Sequence, residues 1–287
     1  MPFTHLISVA ALQAHLNHPD WVVVDCRFSL ADPEAGRRAY QSGHIPGACY
    51  AHLNEDLSGP VVKGKTGRHP LPEPASLQAR FSSWGISAHT QVVAYDDLGG
   101  AMAARLWWLL HWLGHEAVAV LNGGFQAWVS EKGESSTALP TAREGGFVPH
   151  PNPDMARDIH FIRQHLQDPE LLLVDSRAPE RYRGEVEPID PVAGHIPGAV
   201  NLFHATNIGA DGLFLPEETL RQKFETLLQR HAAEHTVFYC GSGVTAAHNL
   251  LAMEVAGIKG ARIYPGSWSE WIADPSSEVS GNNRTIS

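Results

Sequence analysis

Cysteine is scarce in this sequence, with only Cys26, Cys49 and Cys240 among 287 residues. No two of them form a Cys-x-x-Cys pair, which argues against a disulfide framework and against a zinc knuckle. Free thiols suit a reducing compartment, so we expect a cytoplasmic protein. The 17 histidines are scattered along the chain, and we predict neither a metal site nor another cofactor.

Positive charge is also sparse, because 21 basic residues face 31 acidic ones and the formal net charge is -10. No dense basic tract is present, so we expect no nucleic-acid partner. The most apolar run, at 106–113, is too short to span a bilayer, and the first residues do not resemble a signal peptide. We therefore expect no membrane partner. Because the net negative charge repels anions at long range, any site for an anion must be built from nearby residues.

An internal repeat organises the whole chain. The segment 21–27 returns at 171–177, and the sequence His-Ile-Pro-Gly-Ala occurs at 44–48 and again at 195–199. Two further blocks, at 91–96 and 123–128, return in the same order in the second half. This order predicts two copies of one domain. We place the first domain at 1–134, a linker rich in breaking residues at 135–156, and the second domain, which ends in a polar tail, at 157–287.

Each copy alternates short, wholly apolar segments with segments of helical character. Residues 22–24, 92–95, 171–174 and 237–239 are predicted strands, and long helices are expected at 101–113 and 245–256. Continuous apolar strands indicate a parallel sheet that is covered by helices on both faces. The predicted class is therefore α/β, with ligands bound at the carboxyl ends of the strands.

Cys240 stands at such a strand end, followed by Gly-Ser-Gly-Val-Thr and then a helix. Backbone amides of this loop and the helix N-terminus would favour a thiolate, so we predict that Cys240 is a nucleophile. Cys26 and Cys49 are interpreted as small buried apolar residues. The first copy has Asp96 at the position of Cys240, and that domain is predicted to be inactive.

Together these segments resemble the tandem-domain rhodanese superfamily, and the Cys-Gly-Ser-Gly-Val-Thr loop resembles that of 3-mercaptopyruvate sulfurtransferases most. The resemblance implies sulfur transfer through a persulfide on Cys240. The implied donor is 3-mercaptopyruvate or, alternatively, thiosulfate, and the implied acceptor is cyanide or a thiol such as thioredoxin. The loop residues implied to surround the sulfur are Gly241, Gly243, Val244 and Thr245.

The resemblance also implies roles for polar side chains. Ser242 and His44 would move protons together with an acid that has no clear match here, although Asp32 and Glu34 lie in the right region. The alternative interpretation of His44 is a structural turn histidine, because His195 repeats it in the other copy. Arg181 matches the family arginine that grips the anionic end of the donor.

The mercaptopyruvate branch often carries a second arginine where this chain has Ile189. Arg183 is the candidate replacement, and its alternative interpretation is a solvated surface charge. The preferred donor therefore stays open.

Two other function classes fit this sequence less well. A cysteine-dependent phosphatase would need an arginine six residues after the cysteine, where this chain has Ala246. A non-catalytic sulfur-binding scaffold would suit the first copy alone. The intact loop around Cys240 favours an enzyme for the whole chain.

Overall fold

The computed structural model describes residues 2–141 and 143–281. It divides into two compact units, which combine separate stretches of chain. The first unit comprises Met1–Gly59, Pro72–Asn152 and Ile208–Phe214, and the second comprises Pro60–Leu71, Pro153–Asn207 and Leu215–Ser287. The predicted domains are consecutive stretches, and their bounds stay a prediction. The end of the predicted tail, 282–287, lies outside the described residues.

The first unit contains a parallel five-stranded sheet with the order β1-β5-β4-β2-β3. Its central strands are buried along their length, which requires cover on both faces. In chain order the elements are β1 (Leu6–Ile7), α1 (Val9–His15), β2 (Trp21–Asp25), α2 (Ala35–Ser42), β3 (Cys49–Tyr50), α3 (Leu53–Asp56), α4 (Pro74–Ser83), β4 (Gln91–Tyr95), α5 (Ala103–Trp112), β5 (Val118–Leu121) and α6 (Gly124–Ser130).

The second unit repeats this design with a parallel four-stranded sheet in the order β7-β6-β8-β9. Its elements are α7 (Ile159–His165), β6 (Leu172–Asp175), α8 (Pro179–Tyr182), β7 (Val200–Asn201), α9 (Glu217–Leu228), β8 (Thr236–Tyr239), α10 (Thr245–Val255), β9 (Arg262–Ile263) and α11 (Ser267–Trp271). Short 3-10 turns lie at Pro153–Met155, His204–Asn207 and Ala233–His235. The predicted α/β class with two repeated parallel sheets is confirmed.

Corresponding residues stabilise both copies. The first helix of each unit has a side-chain cap, because Ser8 accepts a hydrogen bond from Ala11 N and Asp158 accepts one from Phe161 N. Such caps satisfy amides that a helix leaves without a partner. Among the described residues, no helix is both long and apolar enough to cross a membrane.

A buried ion pair recurs where β2 and β6 end. In the second unit Arg177 Nη2 donates to Asp175 Oδ2 at 2.6 Å and to the carbonyl of Gly194 at 2.6 Å. Arg27 makes the same contacts with Asp25 and Gly43 in the first unit. Each pair ties a strand end to the turn before the His-Ile-Pro-Gly-Ala segment, since a buried charge requires a bonded partner.

Candidate active site

Strand β8 delivers Cys240 to the carboxyl end of the second sheet. The strand is buried throughout, and the side chain after it, Cys240, is 2% exposed. Two backbone amides face its sulfur, because Ser242 N lies 3.5 Å and Gly243 N lies 3.2 Å from Cys240 Sγ. Amides that converge on one atom form an anion-binding nest. The loop can therefore stabilise negative charge on this sulfur.

A close approach of two backbone segments fixes the shape of this loop. Gly243 has a φ of +76°, and a Cβ at this position would lie 2.2 Å from the carbonyl oxygen of Pro265. Only glycine fits there without strain. From the other side, Ser267 Oγ accepts a hydrogen bond from Cys240 N at 3.2 Å, and Trp268 N donates to Cys240 O at 3.0 Å. The loop is thus held rigidly between β8 and α11.

The corresponding loop of the first unit contains a carboxyl group, that of Asp96, at the position of the thiol. The side chain of Asp96 accepts four backbone hydrogen bonds of 2.7 to 2.9 Å. The four donors are the amides of Leu98, Gly100, Met102 and Ala103. Burial raises the pKa of Asp96, and these amides act in the opposite direction. We call this arrangement the Asp96 cradle; it shows that several amides of this loop can converge on one acidic side chain.

A distant segment, 60–71, also contributes to the site of the second unit. Gly67 passes so close to α11 that a Cβ on it would lie 2.5 Å from Gly266 O. The next amide, Arg68 N, donates to Ser269 Oγ at 3.1 Å. This docking places the side chains of Arg68 and His69 beside the Cys240 loop.

His69 and Ser242 share a hydrogen bond of 2.7 Å between Nδ1 and Oγ. Both residues are buried, each 4% exposed. The same serine presents its amide to the Cys240 sulfur. A hydroxyl and an imidazole in this arrangement can stabilise an oxyanion or relay a proton.

His44 lies in a different environment from the one its predicted role requires. Its ring stacks on Tyr40 at 4.0 Å, and its nitrogens face the carbonyl oxygens of Tyr40 and Ala138. His195 repeats this, stacked on Tyr182 at 3.9 Å. The geometry gives no support to proton transfer by His44 and favours a structural role for the repeated histidine.

The two acids predicted as partners of His44 are in exposed ion pairs, Asp32 with Arg38 and Glu34 with Arg37. Glu34, Glu55 and His52 place ligand atoms within 4.8 Å of one another. Both carboxylates already bind Arg37, so an arginine accounts for this cluster without a metal ion.

Two guanidinium groups face the first glycine of the loop. A Cβ on Gly241 would lie 2.8 Å from Arg68 Nη2 and 3.7 Å from Arg181 Nη2. Arg181 also binds Glu187 through two nitrogens, at 2.7 and 3.1 Å. Asp190 accepts from both cations, from Arg68 Nη1 on one oxygen and from Arg181 Nη2 at 3.2 Å on the other. A pair of arginines so placed can bind an oxyanion next to Cys240.

The remaining predicted site residues lie as follows. Arg183 is paired with Glu185 in an exposed ion pair, and Ile189 is exposed. Val244 is the N-cap of α10, and Thr245 is its first residue. Burial raises the pKa of the Cys26 thiol, and it raises the pKa of Cys49 to about 11. These two thiols therefore have little nucleophilic character at neutral pH.

The sequence interpretation missed Arg68, His69 and Asp190. The first two lie more than 170 residues before the loop that they contact, so no local pattern joins them to it. One available signal was the stretch around Gly67, where Gly64, Gly67 and Pro70 interrupt any regular element. For Asp190 the signal was its place beside Ile189, where the resemblance breaks down.

Comparisons with known proteins bear on the whole chain. A family model described as a rhodanese-like domain matches twice, at residues 8–131 and 159–274. A Pseudomonas aeruginosa protein named "Probable 3-mercaptopyruvate sulfurtransferase" is 50% identical over 276 residues, which cover 96% of this chain and 97% of that protein.

Two further relatives carry different activities in their names. A thiosulfate sulfurtransferase from Rattus norvegicus is 34% identical over 272 residues, which cover 91% of this chain and 89% of that protein. The solved structure of a 3-mercaptopyruvate sulfurtransferase from Leishmania major superposes with a TM-score of 0.82 at 31% identity, over 93% of this chain and 74% of that one. The chain therefore belongs to the rhodanese family, with two rhodanese-like domains in tandem, and it is a sulfurtransferase of the 3-mercaptopyruvate or thiosulfate type.

Proposed function

We propose that the enzyme takes a sulfur atom from 3-mercaptopyruvate onto Cys240 and passes it to a thiol or to cyanide. The observation that carries the choice of donor is the hydrogen bond between His69 and Ser242 beside the Cys240 loop. The reason lies in the different leaving groups of the two candidate donors.

With 3-mercaptopyruvate, the Cys240 thiolate attacks the donor sulfur, an S–S bond forms and the C–S bond breaks. The electron pair of that bond leaves as the enolate of pyruvate, and the proton of the donor thiol ends on its carbon. An enolate oxygen needs hydrogen-bond donors, and the carbon needs a proton. The Ser242 hydroxyl and the His69 imidazole supply groups of the required kind.

With thiosulfate, the same thiolate attacks the outer sulfur and sulfite leaves with the electron pair of the broken S–S bond. No proton has to move in this step. A buried pair of proton-transfer groups is therefore needed for the first donor and superfluous for the second. This difference favours 3-mercaptopyruvate, with thiosulfate as the alternative donor.

In either case Arg68 and Arg181 hold the anionic end of the donor over Gly241, and the amides of Ser242 and Gly243 stabilise the charged sulfur of the thiolate and of the persulfide. In the second half of the reaction, a thiol or cyanide attacks the outer persulfide sulfur. The S–S bond breaks and the Cys240 thiolate is regenerated. A thiol protein such as thioredoxin is the expected physiological acceptor.

The test compares kcat/KM for both donors in His69→Asn and Ser242→Ala. General acid–base catalysis contributes about 10²- to 10⁴-fold, so we expect kcat/KM for 3-mercaptopyruvate to fall by about 10²-fold or more. For thiosulfate we expect a fall of less than about tenfold, because sulfite leaves without a proton. Equal losses for both donors would contradict the proposed role.

Matched variants separate the remaining roles. Cys240→Ser must abolish transfer from both donors and the mass gain of one sulfur after incubation with a donor alone. Arg181→Gln should raise the KM of both donors, whereas Arg183→Gln, in an exposed pair, should change it by less than about twofold. His44→Asn should leave the ratio of the two kcat/KM values as it is in the wild type. A selective loss with mercaptopyruvate in His44→Asn would transfer the role of His69 to His44.

A further inference from the structure

Asp190 binds the two cations that an anionic donor would bind. Its Oδ1 accepts from Arg68 and its Oδ2 accepts from Arg181 at 3.2 Å. The side chain of Asp190 is 3% exposed, whereas those of Arg68 and Arg181 are 28% and 16% exposed. The carboxylate is therefore buried behind two guanidinium groups that are accessible in part.

The charges around these arginines balance. Asp175, Arg177, Glu187, Arg181, Asp190 and Arg68 form a chain of successive ion pairs in which three acids alternate with three bases. With all six groups ionised, this network has no net charge. A donor anion gains the full attraction of Arg68 and Arg181 only when it replaces the contacts of Asp190.

The two acids that bind Arg181 are held very differently. Glu187 binds Arg177 and Arg181 and accepts from the amides of Ile189 and Asp190, so it is fixed from four sides. Asp190 makes one bond to each of two side chains. Burial raises the pKa of Asp190, and the arginines counteract this only in part. Of the two carboxylates, Asp190 is the one that a donor can displace.

We propose that Asp190 is a specificity-determining residue, an internal anion that competes with the donor for Arg68 and Arg181 and disfavours donors in proportion to their charge. Coulomb energy is proportional to the product of the charges. Thiosulfate carries two negative charges and 3-mercaptopyruvate carries one on its carboxylate. Asp190 therefore opposes thiosulfate about twice as strongly in free energy. The proposal rests on the proposed function, because it places the donor beside Cys240.

The first test is kcat/KM for each donor in Asp190→Asn, with Asp190→Ser as a second variant that also removes the charge. We expect kcat/KM to rise about threefold for 3-mercaptopyruvate and about tenfold for thiosulfate. The second factor is about the square of the first, because the opposing free energy is twice as large for thiosulfate. Unchanged or lower values for both donors in a folded variant would overturn the proposal, because they assign Asp190 to holding the arginines in position.

Glu185→Gln provides the matched control, because it removes one negative charge from the same unit at an exposed position. We expect changes of less than about twofold for both donors, since exposed charges are screened by solvent. Equal gains in Glu185→Gln and Asp190→Asn would make the effect one of net charge and would overturn the role of Asp190.

A second readout needs no sulfur donor. The rate of Cys240 alkylation is measured with iodoacetate, an anion, and with neutral iodoacetamide, by mass spectrometry of the Cys240 peptide. Asp190→Asn should raise the ratio of the iodoacetate rate to the iodoacetamide rate about threefold over the wild type. An unchanged ratio would count against the proposal. If neither donor transfers sulfur to the wild type, the proposed function fails, while this ratio still tests Asp190.

Discussion

The fit of Gly243 against Pro265 makes a quantitative prediction for Gly243→Ala. The new Cβ would lie 2.2 Å from Pro265 O, and the backbone must open by about 0.8 Å only to reach 3.0 Å, the shortest distance that a Cβ tolerates. Because Gly243 N lies 3.2 Å from Cys240 Sγ, a shift of this size stretches or breaks its hydrogen bond to the sulfur. A bond to a charged group contributes about 1.5–3 kcal/mol. We therefore expect kcat/KM to fall about ten- to a hundredfold for either donor.

Gly198→Ala is the matched control in the same unit. Gly198 has a φ of +79°, close to the +76° of Gly243, but the nearest atom to its added Cβ is Leu166 O at 3.9 Å. Both variants bear the strain of a left-handed alanine, about 1–2 kcal/mol, and only Gly243→Ala bears the clash.

The assay is sulfur transfer to cyanide together with urea unfolding of each variant. Gly198→Ala should lose about 1–2 kcal/mol of unfolding free energy and keep its activity within about twofold. If the activity of Gly243→Ala also stays within twofold of Gly198→Ala, the amide of Gly243 does not stabilise the reacting sulfur, and the proposed role of the loop is refuted.

Two further predictions concern Asp96 and the thiol of Cys49. Asp96→Asn turns an amide group toward two backbone donors and should lower the free energy of unfolding by about 2–6 kcal/mol. The control Asp97→Asn should lower it by less than about 1 kcal/mol. Equal stability of the two variants in urea would contradict the role of the Asp96 cradle. For Cys49, whose pKa is raised to about 11 by burial, alkylation by iodoacetamide should accelerate about tenfold per pH unit from pH 8 toward pH 11, and a rate that levels off by pH 9 in peptide mass spectrometry would show an ordinary thiol.

Much of the fold followed from the sequence because its signals are local and occur twice. Continuous apolar strands, helix caps such as Ser8 and Asp158, and the repeated His-Ile-Pro-Gly-Ala segment each depend on neighbouring residues. Cys240 could be identified for the same reason, since the strand, the glycine-containing loop and the helix that surround it are consecutive in the chain.

The proton-transfer partner could not be identified in that way. His69 reaches Ser242 because segment 60–71 docks on α11 through a side-chain-free Gly67, and this is a long-range packing event without a local pattern. The repeat itself argued against His44, since His195 occupies the same position beside Tyr182. A residue that both copies keep is best explained by what both copies need, which here is a well-packed turn.

The Asp96 cradle has a consequence for how the reaction of its sister loop is driven. In the first unit the amides are bonded to a carboxyl group that belongs to the chain itself. In the second unit the occupant is the reacting atom. In the proposed reaction the charge moves outward from Cys240 Sγ by about one S–S bond, some 2 Å, and the amides need not rearrange to follow it. In water, solvent molecules would have to reorient around the sulfur anion at each step. In this loop the amides are already oriented toward the sulfur in the folded protein, so no reorientation is needed.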